Sequence, residues 1–186
     1  TGMQPFKSDK SMLICNGEIY NHKNFRTGFE KGTSDCEVLI PMIDDFGIEH
    51  TLKVINGDFA LVYSDGKKVI AARDPVGVRP LFYTRYAENS IAFASEVKAL
   101  LFLNSEIDIF PPGHIYDSYL DDFVCYHNGY WRINKYVNDC TPGEMRQAFE
   151  RSVHERLATT ERDIGFLLSG GLDSSLIAVS YTHLTL

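Results

Sequence analysis

The spacing of hydrophobic and polar positions changes character along the chain. Met12-Leu13-Ile14-Cys15 is a short, wholly apolar run between polar and turn residues, which predicts a strand buried on both faces. Within 35–46, Val38, Leu39, Met42, Ile43 and Phe46 recur at helical spacing before a Gly47 stop. Asp35 stands where a first-turn acid favours the helix dipole, so the segment reads as an amphipathic helix. Two hairpins follow, 58–64 with 67–73 around Asp65-Gly66, and 81–85 with 91–95 around Glu88-Asn89. Residues 95–101 read as a short helix, and 107–136 as further strands broken by Pro111-Pro112-Gly113 and Asn128-Gly129.

A second regime opens at Thr141-Pro142-Gly143-Glu144, where Thr caps a helix, Pro takes its first position and Glu completes a capping box. Met145, Phe149, Val153 and Leu157 then recur every four residues. The apolar run 164–168 predicts a strand, followed by Ser169-Gly170-Gly171-Leu172-Asp173-Ser174-Ser175 and another helix. Helix, strand, glycine loop and helix are the grammar of a parallel α/β domain. The predicted fold class is therefore α+β over residues 1–139, followed by the start of an α/β domain over 140–186. No internal repeat or low-complexity segment interrupts this pattern.

Composition narrows the partners. The 25 acidic and 18 basic side chains leave a formal charge of −7, which argues against a dedicated nucleic-acid binder and against attraction to anionic membrane. Apolar runs stay far short of the roughly 20 residues a membrane-spanning helix needs. Cys15, Cys36, Cys125 and Cys140 are widely spaced with no C-x-x-C, so a reducing cytoplasm fits better than a disulfide scaffold or a zinc knuckle. The opening Thr1-Gly2-Met3-Gln4-Pro5 carries no targeting signal, and 180–186 continues a helical run without a stop, as expected of a fragment cut at both ends.

Chemistry concentrates at two places. The loop 169–175 lies at a strand-to-helix turn, where backbone N–H groups, serine hydroxyls and the approach that glycine permits suit a phosphate, with Asp173 as a magnesium ligand. No lysine follows, so this is not a P-loop; the plainer alternative is a Gly-Gly turn capped by serines. Asn16-Gly17 is either a type I′ hairpin turn or a turn presenting an amide and an N–H to a ligand oxygen, as an oxyanion hole requires. Asp35 is either a dipole residue or a ligand for a substrate ammonium, and Glu18 either solvated or part of the same site. The six histidines lack metal-binding spacing. Arg73-Asp74 with Arg79 reads as a structural ion-pair corner, and Phe82, Tyr83 and Phe93 as core.

Five blocks resemble the class II glutamine amidotransferase domain: Cys15 through His22, Ser34 through Val38, Ala72 through Tyr83, Phe93 through Leu100, and Pro111-Pro112-Gly113. Together with Ser169 through Ser175 they resemble the glutamine-hydrolysing asparagine synthetase family. That resemblance implies a four-layer αββα sandwich of the N-terminal-nucleophile hydrolase type, incomplete here, followed by an ATP-pyrophosphatase domain. It implies an oxyanion hole from Asn16 and Gly17, glutamine held by Glu18 and Asp35, and ammonia passed internally to the second domain. There, ATP and Mg2+ would meet Leu168, Ser169, Gly170, Gly171, Asp173, Ser174 and Ser175, and aspartate would become an acyl-adenylate that ammonia converts to asparagine, AMP and pyrophosphate. The full-length protein would be a candidate homodimer. The family's nucleophile is an N-terminal cysteine whose own α-amino group is the base. No cysteine inside this chain has that amine, so the nucleophile is expected upstream and the fragment inactive. Residues 180–186 depart from the family pattern and are assigned no role. The alternatives are another amidotransferase acting on a phosphosugar, a β-lactam-synthetase-like adenylating enzyme, and a non-catalytic glutaminase-like module. Strand edges left open by truncation are expected to favour aggregation.

Overall fold

A computed structural model describes residues 2–25, 34–88, 90–127, 140–160 and 163–185, which fall into two units, 1–134 and 135–186. The turn expected at Asn128-Gly129, and Asn89 of the second hairpin, lie outside the described residues.

The first unit is built on a six-stranded antiparallel sheet of β1 (Phe6–Lys7), β2 (Met12–Ile19), β3 (Gly57–Ser64), β4 (Val69–Arg73), β8 (His114–Asp117) and β9 (Asp122–Cys125), in that spatial order. A second sheet has β5 (Phe82–Ala87) between β6 (Ser90–Ala94) and β7 (Ile107–Ile109). The Asp65-Gly66 hairpin forms as expected: Lys67 and Lys68 N–H donate to Asp65 Oδ1, and Gly66 takes φ +81°, which glycine adopts without a Cβ penalty.

Helices α1 (Leu39–Phe46) and α2 (Ile48–Val54) cover one face of the large sheet. Leu39, Ile40, Ile43 and Leu52 pack there on Leu13, Cys15, Ile19, Phe59, Leu61 and Ile70. The expected helix at 35–46 begins as a 3-10 turn over Asp35–Val38 and stops at Gly47, but Phe46 is exposed, and α2 is an addition the pattern did not reveal. The opposite face of the large sheet packs Ala60, Ala71 and Tyr116 against Leu81, Phe93 and Phe110 of the second sheet region, with Tyr83 and Phe123 alongside. One helical layer and two sheets are thus present among the described residues, and both cores follow from alternation along β2, β3 and β4.

Two expectations for β2 require correction. The strand is not buried on both faces: Met12 and Ile14 are 49% and 48% exposed while Leu13 and Cys15 are buried, because only the odd face meets helices. Nor is Asn16-Gly17 a turn. The strand runs through it, with Asn16 opposite Ala60 and Gly17 opposite Phe59, because an eight-residue ladder with β3 outweighs the local preference of the dipeptide.

The expected helix at 95–101 is realised as two 3-10 turns, Val97–Ala99 and Leu101–Leu103. In the second unit, α3 (Pro142–Leu157) starts with the predicted capping box: Glu144 N–H donates to Thr141 Oγ1, and Thr141 N–H to Glu144 Oε2. Helix α4 (Leu172–Thr185) runs from the glycine loop through 180–185, and the Tyr181 ring lies 4.8 Å from that of Phe166. Residues 164–168 are not a strand, which corrects the expectation. No strand of this unit is present among the described residues to pair with them, and Leu167 and Leu168 are exposed.

Candidate functional site

The candidate site grows from one edge of β2. In an antiparallel ladder successive N–H groups point alternately to the two neighbouring strands. Tyr20 N–H donates to Asn56 O on the β3 side, so even residues face β3. Odd residues face the other way. Leu13 pairs with Phe6 of β1. Beyond the end of β1, the Gln4 side chain imitates a strand residue: its Nε2 donates to Cys15 O, and its Oε1 accepts Cys15 N–H, both at 2.8 Å. Ile19 N–H donates to Asp35 Oδ2 at 2.5 Å. Between these two anchors the parity of the strand directs Gly17 N–H to the same edge, between Gln4 and Asp35, where no strand among the described residues pairs with it.

Gly17 also sits unusually close to β3. A Cβ added there would lie 2.7 Å from Phe59 Cα and closer still to Asp58 O, so only glycine fits. Asn16 projects on the face opposite Cys15, and its Nδ2 donates to Ser95 Oγ at 3.2 Å, directly after β6 of the second sheet. Glu18 stands opposite Asp58, whose Oδ2 accepts the Tyr20 hydroxyl at 2.7 Å. The structure therefore brings together Asn16, Gly17, Glu18 and Asp35, the four residues singled out from sequence in this unit.

Cys36 binds the group together. Its Sγ is 3.7 Å from both Gly17 O and Asp35 Oδ2. Contact with the Cys15 thiol, followed by burial and the neighbouring Asp35 charge, pushes the Cys36 thiol well above its ordinary range. It stays protonated and acts as a packed donor rather than a nucleophile. Cys15 is likewise buried, whereas Cys125 and Cys140 are exposed.

The Arg73-Asp74 corner ends β4, on the far side of β3 from this edge, and Asp74 N–H donates to Phe59 O. Its role is structural, as expected, but it is not an ion pair. Arg73 donates to the carbonyl oxygens of Arg79, Phe110 and Gly77 at 2.7, 2.7 and 2.8 Å. Asp74 accepts N–H groups from Val76, Gly77, Val78 and Arg79. Each charge thus satisfies backbone groups of the segment between β4 and β5 that holds Pro75 and Pro80, and Arg73 also meets the Phe110 carbonyl.

In the second unit the helix expected after the glycine loop forms, but no strand among the described residues leads into the loop. Gly170 takes φ +80°, in the left-handed region, and Gly171 N–H donates to Ser169 Oγ at 3.3 Å. Ser175 N–H donates to Gly171 O and opens α4, and the Ser174 and Ser175 hydroxyls donate to the same carbonyl. Asp173 lies in the first turn, and Leu168 precedes the loop, exposed. Among the described residues no cluster of three His, Cys, Asp or Glu could hold a metal ion.

Sequence reasoning missed Gln4, Ser95 and Asp58. Ser95 lay within a recognisable block but with no stated role, and nothing local marked Gln4 or Asp58.

Solved structures place this architecture in a class. An allosteric regulatory enzyme of purine biosynthesis matches 97% of this chain and 45% of its own, with a TM-score of 0.57 at 18% identity. A glutamine phosphoribosylpyrophosphate amidotransferase from B. subtilis matches 98% and 46%, with a TM-score of 0.55 at 19% identity. The fold is that of the class II glutamine amidotransferases, an N-terminal-nucleophile hydrolase fold.

Residues 1–156 match the family model described as glutamine amidotransferase domain, and the chain belongs to that family. Residues 144–185 match the model described as asparagine synthase. Among curated relatives, asparagine synthetase [glutamine-hydrolyzing] 2 of Arabidopsis thaliana is 41% identical over 99% of this chain and 33% of its own length. Asparagine synthetase [glutamine-hydrolyzing] 1 of Saccharomyces cerevisiae is 41% identical over 96% of this chain and 33% of its own. The chain thus spans about a third of the length of the curated relatives it matches.

Proposed function

We propose that the full-length protein is a glutamine-dependent asparagine synthetase, a ligase that moves the amide nitrogen of glutamine onto aspartate at the expense of ATP. The observation that carries this reading is the edge of β2 between Gln4 and Asp35, toward which strand parity directs Gly17 N–H, in the same chain as the serine-glycine loop that opens α4. When a nucleophile attacks the glutamine side-chain carbonyl, negative charge develops on its oxygen. Gly17 N–H and the Asn16 amide are the fixed donors that meet it, and one such donor is worth about 10²–10³ in rate. Asp35 and Glu18 supply negative charge for the substrate's α-ammonium, with Asp35 held in place by Ile19 N–H. The nucleophile is taken to be an N-terminal cysteine outside these 186 residues.

Ammonia released there is consumed in the second domain. Ser169, Gly170, Gly171, Ser174 and Ser175 form the turn at which the pyrophosphate of ATP would bind, with Leu168 beside the nucleotide. Asp173 offers one carboxylate for Mg2+, which commonly takes one or two carboxylates plus substrate phosphates, so the donor set fits. Bound there, the ion would neutralise phosphate charge. The aspartate side-chain carboxylate attacks the α-phosphate, pyrophosphate leaves, and ammonia displaces AMP from the β-aspartyl-adenylate. The second family match favours this acceptor over a phosphosugar, and the relatives' names favour it over a β-lactam precursor. We place the enzyme in the cytoplasm; no helix among the described residues is long and apolar enough to cross a membrane.

The test is the purified full-length protein with glutamine, aspartate and ATP. AMP, pyrophosphate and asparagine in equal amounts are expected. Formation of ADP and phosphate, or no nucleotide turnover, would overturn the assignment.

A further inference from the structure

We infer that Ser95 is a positioning residue for the Asn16 amide, holding it by the hydrogen bond that links the two sheets beside Gly17. The inference rests on the glutaminase reading above and deepens it. Asn16 is exposed, and packing does not fix its side chain: it borders a cleft of about 210 Å3 shared with Gln4, Ile14 and Ser95. An amide on a single sp³–sp² torsion has a broad rotational well, and a half-turn would exchange its donor for its acceptor. Ser95 Oγ accepts one of the two Nδ2 protons at 3.2 Å. That fixes the amide plane and leaves the second proton free for a ligand oxygen.

Ser95 has a fixed point from which to do this. It directly follows β6, whose Ala94 is in register with Phe82 of β5, so its backbone is held by the second sheet rather than by the strand that carries Asn16. The hydroxyl needs no contact with substrate. Its effect appears where charge develops on the carbonyl oxygen, in kcat, and not in the affinity for glutamine, whose ammonium lies toward Asp35.

The experiment uses the full-length enzyme and three variants, Ser95→Ala, Ser95→Thr and Asn16→Ala, with the Ser95→Ala/Asn16→Ala double variant. Glutamine hydrolysis and ammonia-supported asparagine formation are followed in parallel. Ser95→Ala is expected to lower kcat for glutamine hydrolysis about tenfold, with KM within about twofold of wild type. Ser95→Thr, which keeps a hydroxyl, should recover most of the rate, and ammonia-supported synthesis should be unchanged. In the Asn16→Ala background, Ser95→Ala should cost nothing further, the non-additivity expected of residues acting through one another. An active wild type with an unaffected Ser95→Ala kcat, or the same tenfold loss in both backgrounds, overturns the positioning role alone. A wild type without glutaminase activity overturns the functional reading, and this inference with it.

Discussion

Gly17→Ala tests the geometry of the β2 edge most severely. The added Cβ would meet Phe59 Cα at 2.7 Å and Phe59 Cβ at 2.9 Å, with Asp58 O closer still. Two of these three atoms are main chain, so no flexible side chain can swing aside to relieve both. Ordinary carbon contacts begin near 3.5 Å, so β2 must retreat from β3 by roughly 1 Å at this residue. The strand is held on either side, by Gln4 at Cys15 and by Asp35 at Ile19, so the displacement concentrates on the Gly17 peptide. Overpacking of this kind costs about 1–3 kcal/mol. A misplacement of about 1 Å near reacting groups costs on the order of 10²-fold in rate, similar to losing one oxyanion donor. Steady-state glutamine hydrolysis by the full-length protein, well below the unfolding midpoint, should therefore fall about a hundredfold. Leu13→Ala is the control: Leu13 is fully buried on the same strand, and its truncation should cost about 2–5 kcal/mol. Its rate under the same conditions should stay near wild type. Near-normal turnover in Gly17→Ala, or an equal loss in Leu13→Ala, would show that the Gly17 peptide is not part of the glutaminase site.

Asp35→Asn keeps an acceptor for Ile19 N–H but removes the charge, so KM for glutamine should rise about 10–100-fold with little change in kcat; an unchanged KM would remove Asp35 from ammonium binding. Asp74→Ala takes the carboxylate acceptor from Val76, Val78 and Arg79 N–H, while Gly77 N–H keeps the Asp74 carbonyl, and should lower stability by about 3 kcal/mol, read from urea midpoints; a loss below about 1 kcal/mol would contradict the clamp described. Burial, reinforced by hydrogen bonds to Asp44 and Asp121, pushes Tyr63 and Tyr116 up to about 12. Because their folded values lie above the unfolded value of about 10, their stabilisation is complete below pH ~10 and is lost as pH rises through about 12. Urea midpoints should fall across that window and fall less in Tyr63→Phe; a flat midpoint would disprove it.

Local chemistry was legible wherever a few adjacent residues decide the outcome. The Thr141-to-Glu144 box and the Asp65-Gly66 turn each complete their hydrogen bonds within four residues, and both form as read. Asn16-Gly17 misled for the converse reason: its turn preference is local, while the ladder to β3 that overrides it joins residues some 40 positions apart. The run 164–168 has strand composition, but a strand exists only with a partner, which composition does not supply. Adjacent opposite charges at Arg73-Asp74 suggested a pair, yet each side chain found better donors or acceptors in a proline-interrupted backbone. Ser95 meets Asn16 across 79 positions, and Gln4 reaches Cys15 by imitating a strand residue; neither contact has a signature in the one-dimensional pattern. The candidate residues could thus be named from the sequence, but their placement along one edge of β2 beside Asp35 required the fold.

In the proposed reaction one polypeptide frees nitrogen from glutamine and transfers it to a nucleotide-activated aspartate. Its most direct measurement supplies the full-length protein with glutamine labelled with ¹⁵N at the side-chain amide, together with aspartate and ATP, and follows the label by NMR. Label is expected in the asparagine side-chain amide, with one AMP and one pyrophosphate per labelled product. Label that stays in glutamine, or is released as ammonia with no asparagine formed and no ATP consumed, would contradict it.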